Sequence, residues 1–141
     1  MTTQTVNEST YRRLLDATNS GDLERISRTI DEIFHPDAVL HSPAGTAPAA
    51  AAVKTAWSML LTAFPDIQVT AEDTITEGDK VVLRNTVTAT HQGEYRGLPP
   101  TGTEITYGEI FIIRFVDGKV AEGWGLVDLY SQLQQLGALP G

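Results

Sequence analysis

EITYGEIFIIRFVDGKVAEGWGLV, residues 104 to 127, is the stretch that decides how the chain folds. From Glu104 to Val116 it is dense in β-branched and aromatic residues, which suit a pleated, half-buried strand. Asp117-Gly118 is a hairpin turn, because a tight two-residue connection needs positive φ that these residues tolerate. Lys119 to about Val127 then runs back as a second strand. Phe111, Ile113 and Phe115 lie on one side of the first strand, Ile110 and Ile112 on the other. An antiparallel sheet with one wet face alternates cleanly. Apolar residues on both sides therefore predict a covered outer face. With no helix to spare, a second copy of the chain is the expected cover, giving a homodimer through the sheet.

Upstream, the period of two continues. Ile67, Val69, Ala71 and Ile75 take one phase; Gln68, Thr70, Glu72, Thr74 and Thr76 take the other. Gly78-Asp79 turns the chain, and Val81 to His91 forms a long β-branched strand. Gln92 to Thr103, with Gly93, Gly97, Gly102, Pro99 and Pro100, reads as a loop or wide turn. Before residue 65 the period is helical. Thr5-x-x-Glu8 suits a capping box ahead of Tyr11, Leu14, Leu15 and Thr18. Asn19-Ser20-Gly21 stops that helix, and Asp22 caps a second one with Leu23, Ile26, Ile30, Ile33 and Phe34 on its apolar face. His35-Pro36-Asp37 ends it, and a short strand, Ala38 to His41, follows. Pro43, Gly45 and Pro48 mark a loop that leads, with Pro48 early in it, into a third helix. Its face, Val53, Trp57, Leu60, Leu61 and Phe64, is the clearest amphipathic pattern in the chain. Leu129 to Leu136 closes the chain as a short helix stopped by Gly137. Helices first and then a meander of strands predict one α+β domain over residues 1–141, a curved antiparallel sheet and helices enclosing an apolar pocket.

The totals narrow the function. The sequence has 141 residues, 41% hydrophobic and 20% charged, with a formal net charge of -8. That is enough chain for one core, and an acidic balance argues against nucleic acid, which needs a basic face. There is no cysteine, hence no disulfide or thiolate chemistry. The N-terminus lacks the basic start and apolar run of a secretory signal. No apolar run nears the roughly 20 residues that cross a bilayer. A cytoplasmic protein without a membrane partner is expected.

Gly97-Leu-Pro-Pro-Thr-Gly-Thr103, Ile110-Phe-Ile-Ile-Arg-Phe-Val-Asp-Gly-Lys-Val-Ala-Glu-Gly-Trp124, Asp128 and Gln135-Leu-Gly137 resemble the SnoaL-like polyketide cyclases of the nuclear-transport-factor-2-like fold. The resemblance implies a conical sheet around a deep pocket. It also implies an intramolecular aldol condensation run by an acidic residue, without metal or cofactor, on a hydrophobic or aromatic carbonyl compound. Asp128 matches that acid. The family's assisting histidine on the preceding strand has no counterpart, since Glu104 to Val116 offers Tyr107, Glu109 and Arg114 instead. A related lyase or isomerase is equally open, and the alternative is a non-enzymatic ligand-binding or accessory protein.

The residues supply the candidates. On a regular strand Val120, Glu122, Trp124, Leu126 and Asp128 share a face, so a pocket lined by Trp124 would also receive Asp128. Desolvation there would raise the carboxyl's pKa and make it a proton carrier; Asp128 also stands where the N-cap of the last helix belongs. His91 ends its strand at a pocket rim and is a second catalytic candidate, or a solvated edge residue. Glu109 interrupts the apolar phase of Tyr107 and Phe111. Either Arg84 or Arg114 pairs with it, or it is a second acid of the site. Tyr107 stands beside it as a substrate contact. Tyr11 can hold an oxyanion, as a ketosteroid isomerase requires of a tyrosine, or simply anchor its helix. Trp57 can wall a pocket or belong to the core. His35, His41 and His91 fall on separate elements without ligand spacing, so no metal is expected. The Arg-x-Asp pair of epoxide hydrolases is missing, because Arg84 is followed by Asn85 and Thr86.

Overall fold

Two short polar side chains start the first two helices. In the computed structural model, which describes residues 2–139, Thr2 accepts from the Thr5 N–H and Asp22 from the Arg25 N–H, at 3.1 and 3.2 Å. A cap of this kind stabilises a helix by about 0.5–2 kcal/mol. They open α1 (Thr3–Asn19) and α2 (Leu23–Ile33). The cap of α1 is therefore Thr2 and not a box built on Thr5. Glu8 is used elsewhere, accepting a hydrogen bond from Thr76 that ties the helix to the sheet. After α2 come β1 (Phe34–Ser42), β2 (Gly45–Pro48) and α3 (Ala49–Ala63). β3 (Gln68–Glu77), β4 (Lys80–Thr90), β5 (Glu104–Val116), β6 (Lys119–Val127) and α4 (Leu129–Gln135) complete the described chain.

The strands form one six-stranded sheet in the order β2-β1-β6-β5-β4-β3. All neighbours are antiparallel except β1 and β6, which run parallel. The sheet is thus mixed, where the sequence predicts an antiparallel one. The meander β3 to β6 has the predicted order, but β1 arrives from the helical half of the chain and is free to join β6 in either direction. The fold is α+β, and no helix among the described residues is long and apolar enough to cross a membrane.

Alternation separates two faces. On β4 Val81, Leu83, Asn85, Val87 and Ala89 are buried, while Arg84 and Thr88 are exposed. On β5 Ile105, Tyr107, Ile113 and Phe115 are buried, and Glu109 and Phe111 share their phase. The inner face packs in two clusters. One joins Ile26, Ile30 and Ile33 of α2 to Val81, Leu83, Ile113 and Phe115. The other joins Phe64 to Val69, Val87, Tyr95, Ile105 and Tyr107. Trp57 and Leu61 of α3 touch both, and stay only partly buried.

β6 breaks the expected alternation. Arg114 pairs with Glu122 but Phe115 pairs with Val120, so Ala121 is an extra residue with no partner. A bulge of this kind reverses the face of every side chain beyond it. Val120 is buried with the core, whereas Glu122, Trp124 and Leu126 face outward and Gly123 and Gly125 inward. Trp124 and Asp128 share a phase as the sequence predicts, but it is that of the outer face. This corrects the expectation that they line the interior.

Candidate functional site

Glu109 lies midway along β5, opposite Asn85 of β4 and Val127 of β6. Neither arginine considered for it is its partner. Arg84 pairs with Asp73 at 2.6 Å and Arg114 with Glu122 at 3.1 Å, both on the outer face. Asn85 meets it instead. The Asn85 amide nitrogen donates to Glu109 Oε1 at 3.2 Å and to Tyr11 Oη at 3.1 Å, joining α1, β4 and β5 at one point. Asn85 is only 1% exposed, while Tyr11 and Glu109 are partly exposed.

The electrostatics follow from that placement. Burial pushes the Glu109 carboxyl above the ordinary glutamate range, and the Asn85 N–H only partly opposes it. Burial lifts the Tyr11 hydroxyl to about 12; the Asn85 bond lowers it and the Glu109 charge raises it. Tyr107, next on the same face, is also raised, first by burial and then by the Glu109 charge. Trp57, Leu14, Leu61 and Phe111 pack, like Tyr11, against the adjoining core cluster and are all only partly buried. The Phe111 ring reaches across to β6, where a Cβ on Gly125 would come within 2.6 Å of it. A carboxyl that holds its proton more tightly than usual, beside a tyrosine hydroxyl and apolar side chains, is equipped to move protons.

The family model for SnoaL-like polyketide cyclases matches residues 8–136. The chain belongs to the SnoaL-like polyketide cyclase family. It is 30% identical over 128 residues to the aklanonic acid methyl ester cyclase DnrD of Streptomyces peucetius, covering 89% of this chain and 87% of that protein. Among solved structures it is similar to AclR from Streptomyces galilaeus, with 36% identity, a TM-score of 0.86, and 98% and 85% of the two chains covered. TsrD from Streptomyces laurentii is similar at 29% identity and a TM-score of 0.83, with 96% and 98% covered.

The position matched to the family's acid is placed away from this interior. Asp128 is exposed and caps α4: Oδ1 accepts from the Ser131 N–H at 3.0 Å and Oδ2 from the Ser131 hydroxyl at 2.7 Å. These bonds, the hydroxyl's first, hold the carboxyl below the ordinary aspartate range. A group so placed is ionised and wet, which is the opposite of the desolvated proton carrier expected at that position. Of its two readings the geometry supports the helix cap.

His91 is buried, at 0% exposure, with its ring tilted against Phe64. Its Nδ1 accepts from the Thr101 N–H at 3.3 Å and lies 3.0 Å from Thr101 Oγ1. That leaves the ring proton on Nε2, which is buried without a hydrogen-bond partner among the described residues. The strand interval from Asn85 to His91 is about 20 Å at ordinary rise, so His91 does not join the Glu109 group. It pins the loop 92–103 through Thr101, while Gly102 N–H donates to its carbonyl. Tyr95 of that loop is buried, and its hydroxyl donates to Gln132 Oε1 at 2.6 Å.

Trp124 stacks on His41 with ring centroids 5.3 Å apart, and His41 Nε2 lies 2.7 Å from Glu122. Trp124 and His41, with Ile110, Ile112 and Leu126, line an outer groove of about 400 Å³. No group of three or more potential metal ligands occurs among the described residues. Asn85 is the site residue that sequence reasoning missed as such. Its signal was present: a polar residue in the apolar phase of β4, as Glu109 is in that of β5.

Proposed function

We propose that this chain is a cofactor-independent cyclase for a hydrophobic carbonyl compound, with Glu109 as its acid/base carboxylate. The observation that carries the reading is Glu109 itself, a glutamate on the inner face, denied both nearby arginines and held, among the described residues, by one amide N–H. Ionised Glu109 removes a proton from a carbon flanked by carbonyls. The enolate carbon then attacks a second carbonyl of the same molecule, and its oxygen takes the proton back from Glu109. One C–C bond forms, no proton is gained or lost, and no co-reactant is needed. The apolar walls would hold the folded substrate near the attacking geometry, from which much of the acceleration would come. Tyr107 and Trp57 are the other groups expected to contact it.

Aklanonic acid methyl ester, for which the relatives DnrD and DauD are named, is the first compound to assay. Glu109→Gln keeps the shape and an acceptor for Asn85 but cannot carry the proton. Its turnover should fall about 10²–10⁴-fold. A variant with wild-type turnover would remove Glu109 from the mechanism. A compound bound but returned unchanged by the wild type would favour the non-enzymatic reading. The outer groove, with Ile110 47% and Leu126 61% exposed, supports a second copy of the chain as its cover, giving a homodimer through the sheet.

A further inference from the structure

We infer that Tyr11 and Glu109 form a two-donor seat for a single enolate or phenolate oxygen, with Asn85 as the positioning residue that aims both groups. The inference rests on the reading of Glu109 as the proton carrier and adds what the carried proton does next. The argument begins with where each proton goes. The two N–H bonds of the Asn85 amide are both used, one on Tyr11 Oη and one on Glu109 Oε1. Tyr11 Oη is thereby an acceptor from Asn85, and its own O–H has no acceptor among the described residues. Glu109 Oε2 likewise has no partner among them. Tyr11 and Glu109 are partly exposed, so a ligand can reach them, whereas Asn85 is sealed beneath.

Asn85 Oδ1 is also buried, and it has no hydrogen-bond partner among the described residues. An orphaned amide oxygen is unfavourable, and it accompanies an orientation that places both N–H groups on neighbours of two other elements. Burial disfavours the charged forms of both, so once Glu109 has taken a proton the site presents two neutral O–H donors. A donor pair of this kind stabilises negative charge that develops on oxygen during reaction.

The same inventory selects the ligand. Arg84 and Arg114 point outward, so no arginine of β4 or β5 is available to balance a full carboxylate or phosphate. Two O–H groups suit one oxygen with spread charge, such as an enolate or phenolate. The walls of Trp57, Leu61 and Phe111 suit a flat apolar body attached to it.

The test uses the full chain and 4-nitrophenol, whose anion absorbs visible light and whose neutral form does not. Wild-type protein should bind it as the anion at a pH where the free dye is mostly neutral. Tyr11→Phe, which retains the ring, and Asn85→Leu should each weaken anion binding about 10-fold or more, the scale of one hydrogen bond to a charged group. In Asn85→Leu the ionisation midpoint of any remaining bound dye should rise, a signature that mere loss of packing does not give. Circular dichroism checks that each variant is folded, and Tyr11→Phe alone decides the matter if Asn85→Leu is not. Glu109→Gln retains an N–H donor and should keep the anion band while losing turnover. If Glu109→Gln turns over normally, the proton-carrier reading fails while the dye result still judges the seat. Binding of neutral dye only would overturn the seat, placing the amide oxygen of Asn85 between the two hydroxyls. Absence of binding at millimolar dye, or an unchanged anion band in Tyr11→Phe, overturns it as well.

Discussion

Replacing Gly93 by alanine should loosen the loop that carries Tyr95, and the packing sets the size of the effect. A Cβ at Gly93 would lie 2.1 Å from the Thr62 carbonyl oxygen and 3.0 Å from its carbon. Carbon and oxygen ordinarily stay about 3.3 Å apart, so the segment must retreat by roughly 1 Å. The end of α3 cannot give way, because Ala63 and Phe64 are buried in a close-packed core. The N–H groups of Gln92 and Gly93 both donate to Ala63 O, at 2.9 and 3.0 Å. A retreat of that size carries them out of bonding range. Losing two such bonds costs about 1–3 kcal/mol, and the stiffer unfolded chain of alanine offsets roughly 0.5 kcal/mol. For 141 residues the unfolding entropy is about 0.3 kcal/mol/K, so Tm should fall by ~2–8 °C. A thermal melt followed by far-ultraviolet circular dichroism measures it. A melt within about 1 °C of wild type would refute the claim that this contact pins the loop to α3.

The carboxyl of Glu109 gives a pH-dependent prediction. Its folded value is raised, so its contribution to stability is full below the ordinary glutamate range. That contribution is lost as pH rises from there through the raised folded value. Glu109→Gln does not titrate, so the variant should gain stability relative to wild type across that window in urea titrations at several pH values. A flat difference would mean that burial does not perturb this carboxyl. Asp128→Ala should lower stability by about 0.5–2 kcal/mol through loss of the α4 cap, with turnover unchanged. A collapse of turnover in the folded variant would return Asp128 to the chemistry. Leu126→Glu places charge in the outer apolar groove and should convert a wild-type dimer to monomer in sedimentation velocity. A wild type that sediments as a monomer at tens of micromolar would leave that groove uncovered.

Much of this molecule is written in local sequence. Asp117-Gly118 fixes the β5–β6 turn, with Asp117 at φ 52° and Gly118 at φ 78°, and the strands on either side take the boundaries that composition predicts. Alternation on β4 and β5 places Asn85 and Glu109 on the inner face because those strands pair without interruption. Alternation fails on β6, where Ala121 is inserted. Nothing in Lys119-Val-Ala-Glu announces a bulge, which is set by how β6 meets its neighbour. One unpaired residue there moved Trp124 and Asp128 to the outside. The parallel pairing of β1 with β6 is equally nonlocal.

The two glutamates nearest the site show why Glu109 calls for a functional explanation. Glu122, on the outer face, is met by His41 at 2.7 Å and Arg114 at 3.1 Å, and these partners hold its carboxyl below the ordinary range. Glu109, one strand away, has Asn85 alone among the described residues, and burial drives it the other way. Stability is served poorly by this division. A leucine at 109 would extend the apolar surface of Tyr107 and Phe111, avoid the desolvation of a carboxylate, and leave Arg84 and Arg114 with the partners they already have. The bond from Asn85 to Glu109 helps join β4 to β5, but those strands already pair along their whole length, so it adds little to their connection. What the glutamate supplies that leucine cannot is a carboxyl that burial makes hold its proton more tightly than usual, on the inner face beside a tyrosine hydroxyl.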